Sequence, residues 1–378
     1  MKYLHIMTMP SLIYNNMIVE MINNENYFNL DEHTFVFSDK KSYDVSKQYL
    51  NVKLNVSILD KKMSNFNRLA LDYDWIFMHS LSLTRKQFVY LNSNIAKKII
   101  WCVWGSDLYN RRTKFMDELN FYKKVRRILA NIVFDLTQRY KVRLFNSIGI
   151  GFMYDRYEIN RIYGNEVKVV KAPYGLGYGL EKVRSVINQY KGNFEKKPVK
   201  IMVGHSAYPF LNHELLLRKL EKFKEENIII SIPLSYGDDS YSQEIEQKAI
   251  ELYGEKVEVI KNYMSSEEYL TYLMSVDIAL FDYKHQSALG NIYLLLFMGK
   301  KLFLNNDGII YKAMRNENVE VFKIDDISNL NFNDFINNDF DVTTGQRISK
   351  LVLDEKSISN SWYELFTSLK NNINNLKK

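Results

Sequence analysis

The sequence predicts an α/β protein built as two doubly wound parallel sheets. Short apolar runs rich in β-branched residues alternate with longer amphipathic stretches, and that grammar occurs twice along the chain. The third observation is length, since 378 residues are enough for two domains of ordinary size. A hydrophobic content of 46% with 25% charged residues is that of a folded chain with a buried core.

In the first half, strands are expected at KYLHIMT (2–8), HTFVFS (33–38), NVSIL (55–59), DWIFMHS (74–80), KKIIWCVW (97–104) and EVKVVKA (166–172). Helical patterns lie between them, from Thr84 to Leu91 and from Thr113 to Leu136. The second half repeats the alternation with VKIMVGHS (199–206), NIIISIP (227–233), KVEVIKN (256–262), DIALFDY (277–283), KKLFLNN (300–306) and VEVFKI (319–324). Helices such as SEEYLTYLMSV separate these runs. Between the halves stand APYGLGYGL and the charged NFEKKPVK. Gly175, Gly177 and Gly179 lack the spacing of a dinucleotide fingerprint and read as a flexible connection.

The domain reading is therefore 1–172, a linker at 173–198, a second domain at 199–345 and a helical segment at 346–378 that returns to the first domain. This layout is similar to that of the GT-B glycosyltransferases, two Rossmann-like domains facing a central cleft, with ligands at the carboxyl ends of the strands. On that plan the first domain takes an acceptor and the second a nucleotide sugar.

A net charge of +7 attracts anions, whether nucleic acid, anionic lipid or phosphorylated small molecules. No recognisable nucleic-acid module accompanies it, which speaks against a nucleic-acid partner. No run approaches the length of a membrane span and the N-terminus lacks a signal-peptide pattern, so the chain reads as cytoplasmic. Lys123, Lys124, Arg126 and Arg127 lie among Phe, Tyr, Ile and Leu in one helical stretch. Such a basic amphipathic helix either lies against the anionic inner face of a membrane or is an ordinary solvated face. The single Cys102 excludes a disulfide framework and a cysteine-rich zinc site and reads as a buried thiol. The Asp-X-Asp match DFD at 339–341 sits in a stretch where Asp and Asn abound, so neither metal nor cofactor is expected.

Several strand-end loops carry candidate chemistry. In VGHSAYPFLNHE (203–214), Gly204 permits close approach to the backbone, His205 and Ser206 follow, and the next helix offers free N–H groups to a diphosphate. The plain alternative is a turn at Ser206, a helix cap at Asn212 and a solvent-facing His213. In KHQSALGNIYLLLFMGKK (284–301), Lys284, His285, Gln286, Gly290 and Asn291 bring donors to the start of an apolar helix. Fixed donors there would stabilise a leaving nucleoside diphosphate without metal; otherwise the stretch is a polar connection. In LSYGDDS (234–240), Tyr236 is placed to stack on a base, while Asp238 and Asp239 read as caps. His79 ends the strand DWIFMHS at the ligand edge and is the better candidate for substrate contact, whereas His5 reads as a satisfied core histidine.

Together these stretches resemble glycosyltransferase family 56, the bacterial 4-acetamido-4,6-dideoxygalactose transferases that complete the lipid III repeat of enterobacterial common antigen. The resemblance rests on Trp101, Trp104-Gly105 with Asp107-Leu108-Tyr109, Val203-Gly204 with Ser206, Asn212-His213-Glu214, Tyr236, and the ungapped stretch from Asp277 to Gly299 and Asn305. His79 and Trp362 match as well, and the match extends over most of the chain. Two positions depart from the family pattern: His285 stands where the family shows an Arg, and His79-Ser80 where it shows His-Gly.

The resemblance implies transfer of a deoxyamino or fucose-like sugar from a nucleotide diphosphate (TDP, UDP or GDP) to a polyprenyl-diphosphate-linked saccharide. Donor contacts would come from Gly204, His205, Ser206, Asn212, Tyr236, Lys284, His285, Gln286, Gly290 and Asn291. The acceptor would meet His79 and the loop Trp104, Gly105, Ser106 and Tyr109. Asp107 is the expected general base, or else only a helix cap. A non-catalytic sugar-nucleotide or glycan-binding protein of the same fold is the rival reading.

Overall fold

The computed structural model describes residues 1–7, 28–47, 55–58, 63–81, 83, 85–109, 121–152, 154–190 and 198–376. The chain divides into two compact units, Met1–Gly175 with Glu355–Lys378, and Leu176–Asp354.

The first unit holds seven strands: β1 (Tyr3–Met7), β2 (His33–Phe37), β3 (Asn55–Ile58), β4 (Trp75–His79), β5 (Ile99–Cys102), β6 (Ser147–Ile150) and β7 (Val169–Lys171). They pair in the order β3-β2-β1-β4-β5-β6-β7, every pair parallel. The order reverses direction between β1 and β4, so the carboxyl ends Met7 and His79 flank the switch point where such sheets receive ligands. Strand periodicity sends Leu4, Ile6, Ile76 and Met78 to one apolar layer and Tyr3, Phe35, Phe77 and Ile100 to the other. The second layer is covered by the helix Glu355–Leu376, whose Trp362 is fully buried and donates its indole N–H to Pro173 O at 2.7 Å.

The second unit repeats the plan with β8 (Val199–Val203), β9 (Ile228–Pro233), β10 (Val257–Ile260), β11 (Ile278–Phe281), β12 (Lys301–Leu304) and β13 (Phe322–Lys323). Their order is β10-β9-β8-β11-β12-β13, all parallel, with the switch point between β8 and β11.

Where structure and sequence reading differ, the reasons are local. β6, the run Ser-Ile-Gly-Ile, contains only two β-branched aliphatics and is flanked by Asn and Gly, so it carries little strand signal. The segment 173–198 is not merely a connection: it contains the helix Leu180–Tyr190, which packs on the helix Ser266–Ser275 of the second unit. The long helix of the first unit runs Phe121–Arg143, past the expected end at Leu136. Residues 113–120 and the side chains of Lys123, Lys124, Arg126 and Arg127 lie outside the described set.

Candidate active site

At the carboxyl edge of the second sheet, the apolar run of β8 stops at Gly204, whose φ of 67° lies in the left-handed region. A Cβ here would stand 2.3 Å from His213 Nε2, so this imidazole reaches the strand end only because Gly204 has no side chain. The neighbouring loops are fastened by backbone. Ala207 donates to Tyr236 O at 2.7 Å and accepts from Asp238 N–H at 2.8 Å, and a Cβ on Gly237 would lie 2.4 Å from Ala207 O. Asp238 caps the helix Asp239–Tyr253 by accepting from Tyr241 N–H at 2.9 Å, as its sequence position suggests.

Asn212 and His213 depart from the plain reading given above. Asn212 sits at the cap position with φ 53°, but its amide donates instead to Asp282, at 3.1 Å to the backbone oxygen and 3.2 Å to Oδ2. Asp282 Oδ1 also accepts from Asn305 Nδ2, so one buried carboxylate ties the helix start at Asn212 to the ends of β11 and β12. His213 is buried rather than solvent-facing, with Nδ1 3.2 Å from the Tyr241 hydroxyl.

Four buried polar atoms at this edge have no protein partner: His205 Nδ1, Ser206 Oγ, His213 Nε2 and Gln286 Oε1. Leaving such atoms unmade costs roughly 1–3 kcal/mol each, so a cluster of them is informative. His205 Nε2 lies 3.2 Å from Ser287 Oγ, and the Tyr283 hydroxyl donates to Ser287 O at 2.8 Å, which joins the β8 loop to the loop after β11. That second loop ends in the helix Leu289–Phe297, whose cap residue Ala288 has φ 52° and supplies no side-chain cap. Gly290 and Asn291 lie in its first turn, where backbone N–H groups are left over. The Asn291 side chain hydrogen-bonds Tyr269. Burial lowers His205 to about 3, with nearby His213 adding to the shift, and lowers His213 to about 4. Both are neutral rings at pH 7, each able to donate one hydrogen bond and accept one. Tyr236 is 43% exposed, its ring 6.5 Å from that of His205. Lys284 and His285 are exposed at the loop tip, Lys284 lying 3.9 Å from Asp307.

In the first unit the structure shows how Asp107 and His79 are held. Both oxygens of Asp107 are engaged: Oδ2 accepts from Trp101 Nε1 at 2.7 Å and Leu81 N–H at 2.8 Å, and Oδ1 accepts from Trp104 N–H at 3.0 Å. Burial raises its pKa while these donors oppose the rise. The carboxylate ties the loop after β4 to the loop after β5. His79 likewise has both ring nitrogens engaged, Nε2 with His5 Nδ1 at 3.0 Å and Nδ1 with the Tyr174 hydroxyl at 2.7 Å. Buried and held by desolvation at about 3, it offers no free nitrogen to a substrate. His5 is the satisfied core histidine expected, with Nε2 2.9 Å from His33 Nδ1.

These three imidazoles and Tyr174 form one hydrogen-bonded row that ends beneath Trp104, which stacks on Tyr174 with ring centroids 4.1 Å apart. Gly105, at φ 86°, turns the chain into the helix Ser106–Tyr109; the Ser106 side chain lies outside the described residues. Cys102 is buried beside this row and its thiol is pushed up to about 12 by desolvation. The Tyr109 hydroxyl donates to Asp155 Oδ1 at 2.7 Å. Asp155 begins the helix Asp155–Tyr163 beyond β6, and burial pushes its carboxyl up to about 7. Sequence reading passed over Asp155 because β6 went unrecognised; once that strand is placed, Asp155 is a strand-end carboxylate like the others.

Two doubly wound parallel sheets, each in its own unit, make the GT-B fold. The family model for glycosyl transferase group 56, 4-alpha-L-fucosyltransferase, matches residues 2–342, and the chain belongs to that family. Among solved structures, Anabaena HepE in complex with UDP aligns with a TM-score of 0.65 at 11% identity, covering 97% of this chain and 100% of its own. A glycosyltransferase from Rickettsia africae aligns at 0.63 and 12%, covering 98% and 99%. A trehalose-phosphate synthase (UDP-forming) from Burkholderia vietnamiensis aligns at 0.59 and 8%, covering 98% and 99%.

Two predictions follow from this geometry. Asp107→Asn replaces an acceptor oxygen with an amide that meets N–H donors, so it should destabilise the protein by on the order of 3 kcal/mol. Denaturant unfolding measures this; unchanged stability would contradict the tying role. The buried histidines set the pH response. His33 at about 4, His79 and His205 at about 3, His213 at about 4, and His5 well below 6.5 all bind protons on unfolding. Stability is therefore full above pH 6.5 and falls as pH drops toward the folded values, by about 1.4 kcal/mol per pH unit for each histidine. Asp155, raised from 3.8 to about 7, opposes this with one proton. Melting temperature should fall steadily from pH 7 to pH 5, and a flat profile would show these rings charged or hydrated in the fold.

Proposed function

We propose that the enzyme transfers a deoxyamino or fucose-like sugar from a nucleotide diphosphate to a lipid-linked saccharide in bacterial surface polysaccharide synthesis. The observation that carries the donor half is the cluster of unpartnered buried atoms on His205, Ser206, His213 and Gln286 beside an uncapped helix start. A diphosphate and sugar present the acceptors and hydroxyls those atoms lack. Tyr236 supplies a ring face for the base, and the UDP bound by HepE is the precedent within the same fold.

In the step itself the acceptor hydroxyl oxygen bonds to the anomeric carbon as the carbon–oxygen bond to the diphosphate breaks. The electron pair leaves with the nucleoside diphosphate, whose developing charge is met by the N–H groups opening the helix Leu289–Phe297 and by the neutral imidazole of His205. The acceptor is assigned to the edge of the first sheet formed by Trp104, Gly105 and Tyr109. Its proton is assigned to the Tyr109–Asp155 pair, because the Tyr109 hydroxyl at the end of the Trp104 loop donates to the Asp155 carboxyl and can pass a proton inward to it as it takes one up. Asp107 and His79 act as positioning residues: one fixes the Trp104 loop, the other fixes Tyr174 beneath it.

Calorimetry with UDP, GDP and TDP tests the donor half. One nucleotide should bind selectively, and Gln286→Ala with Ser206→Ala should weaken it by about tenfold or more; unaltered affinity would remove the donor assignment. For the acceptor half, Asp155→Asn should leave nucleotide affinity intact while turnover falls by about a hundredfold or more and the pH profile loses its limb near 7. Retained turnover with an unchanged profile would remove the base assignment.

A further inference from the structure

The helix Phe121–Arg143 carries two apolar faces. Phe134 and Val142 face the core, Phe134 meeting Phe88 edge-on at 5.6 Å and Val142 being fully buried. On the opposite arc Ile132 (49%), Val133 (62%), Leu136 (62%) and Tyr140 (59%) are exposed to solvent. Positions i, i+1, i+4 and i+8 of a helix fall within about 100° of one another, so these four form one stripe. The core already satisfies the other face, so the stripe is not explained by folding. The adjoining helix Arg85–Tyr90 adds Val89 and Tyr90, exposed at 58% and 67%. Exposed apolar side chains gathered on two adjoining helices mark a contact with something other than water.

Charge decides what that is. The same 23 residues contain seven Lys and Arg against the single Asp135, a balance of +6 in a chain whose net charge is +7. Nearly all the excess positive charge of the protein is concentrated on the helix that exposes the apolar stripe. An exposed aliphatic and tyrosine stripe on a helix of this net positive charge matches an anionic bilayer surface, where the apolar groups enter the acyl boundary and the charge of the helix is drawn to the headgroups. A second copy of this chain would bring like charge against like charge and fits poorly.

We propose that the face formed by Ile132, Val133, Leu136 and Tyr140, with Val89 and Tyr90, docks the first unit onto an anionic membrane. The surface stands on the exposed side chains and the charge of the helix; its purpose, delivery of a lipid-linked acceptor, rests on the function proposed above.

Sedimentation of the full chain with phosphatidylcholine vesicles, with and without phosphatidylglycerol, tests it. The protein should pellet with the anionic vesicles, less so as salt rises, and the double variant Val133→Glu, Leu136→Glu should bind them roughly tenfold more weakly or less well still. Leu351→Glu, which adds a charge at an exposed leucine of the second unit, should bind as the wild type does. Because Val133 and Leu136 are more than half exposed, intact nucleotide binding serves to show the double variant is folded. Binding to neutral and anionic vesicles alike, no vesicle binding, full binding by the double variant, or a concentration-dependent dimer abolished by it without vesicle binding would each overturn the proposal. Nucleotide binding without vesicle binding sinks only the docking surface, while vesicle binding without nucleotide binding sinks only the proposed function.

Discussion

The contact on which the candidate donor edge depends is the approach of His213 to Gly204. An imidazole can occupy the end of β8 only where the strand has no side chain, and a backbone turned to positive φ is what brings it there. From that one constraint the rest of the edge follows. His213 is drawn into the protein and neutralised, Asn212 is displaced from capping to hold Asp282, and Asp282 in turn gathers the loops after β11 and β12. His205 and Ser206 follow the end of β8 directly and His213 is seated against it, so three of the unpartnered atoms are positioned by that strand end, while Gln286 stands in the loop after β11.

The first unit solves the same problem with a different carboxylate. Asp107 uses its lone pairs on three N–H groups from two loops and the strand between them, so the Trp104 turn is fixed by one buried carboxyl group. Beneath it three neutral imidazoles and Tyr174 satisfy one another through the core. A row of this kind costs no buried charge, because a neutral imidazole offers one donor and one acceptor. Its price is sensitivity to acid, which makes the polar core of the first unit and the edge of the second share one pH dependence.

Much of the fold was legible because strand periodicity and the β-branched runs are strong signals, and six of the seven first-sheet strands announce themselves that way. β6 did not, since a strand buried in mid-sheet with a glycine at its centre needs neighbours rather than propensity to form. The loss mattered, because Asp155 follows it. The candidate residues of the second unit were legible as a loop composition, but their roles were not. Whether Asn212 caps or bridges depends on Asp282, seventy residues away, and whether His213 is wet or buried depends on Gly204. For the same reason Asp107 and His79 look reactive in sequence: a carboxylate or imidazole at a strand end is conspicuous, whereas the N–H groups and hydroxyl that consume its lone pairs come from other elements.

A crystal structure of the chain with its preferred nucleoside diphosphate asks whether the edge between β8 and β11 is a nucleotide-sugar site. The diphosphate should lie at the start of the helix Leu289–Phe297, with ligand atoms within hydrogen-bond distance of Ser206 Oγ, His213 Nε2 or Gln286 Oε1. A nucleotide bound elsewhere, with those atoms still lacking a partner, would contradict it.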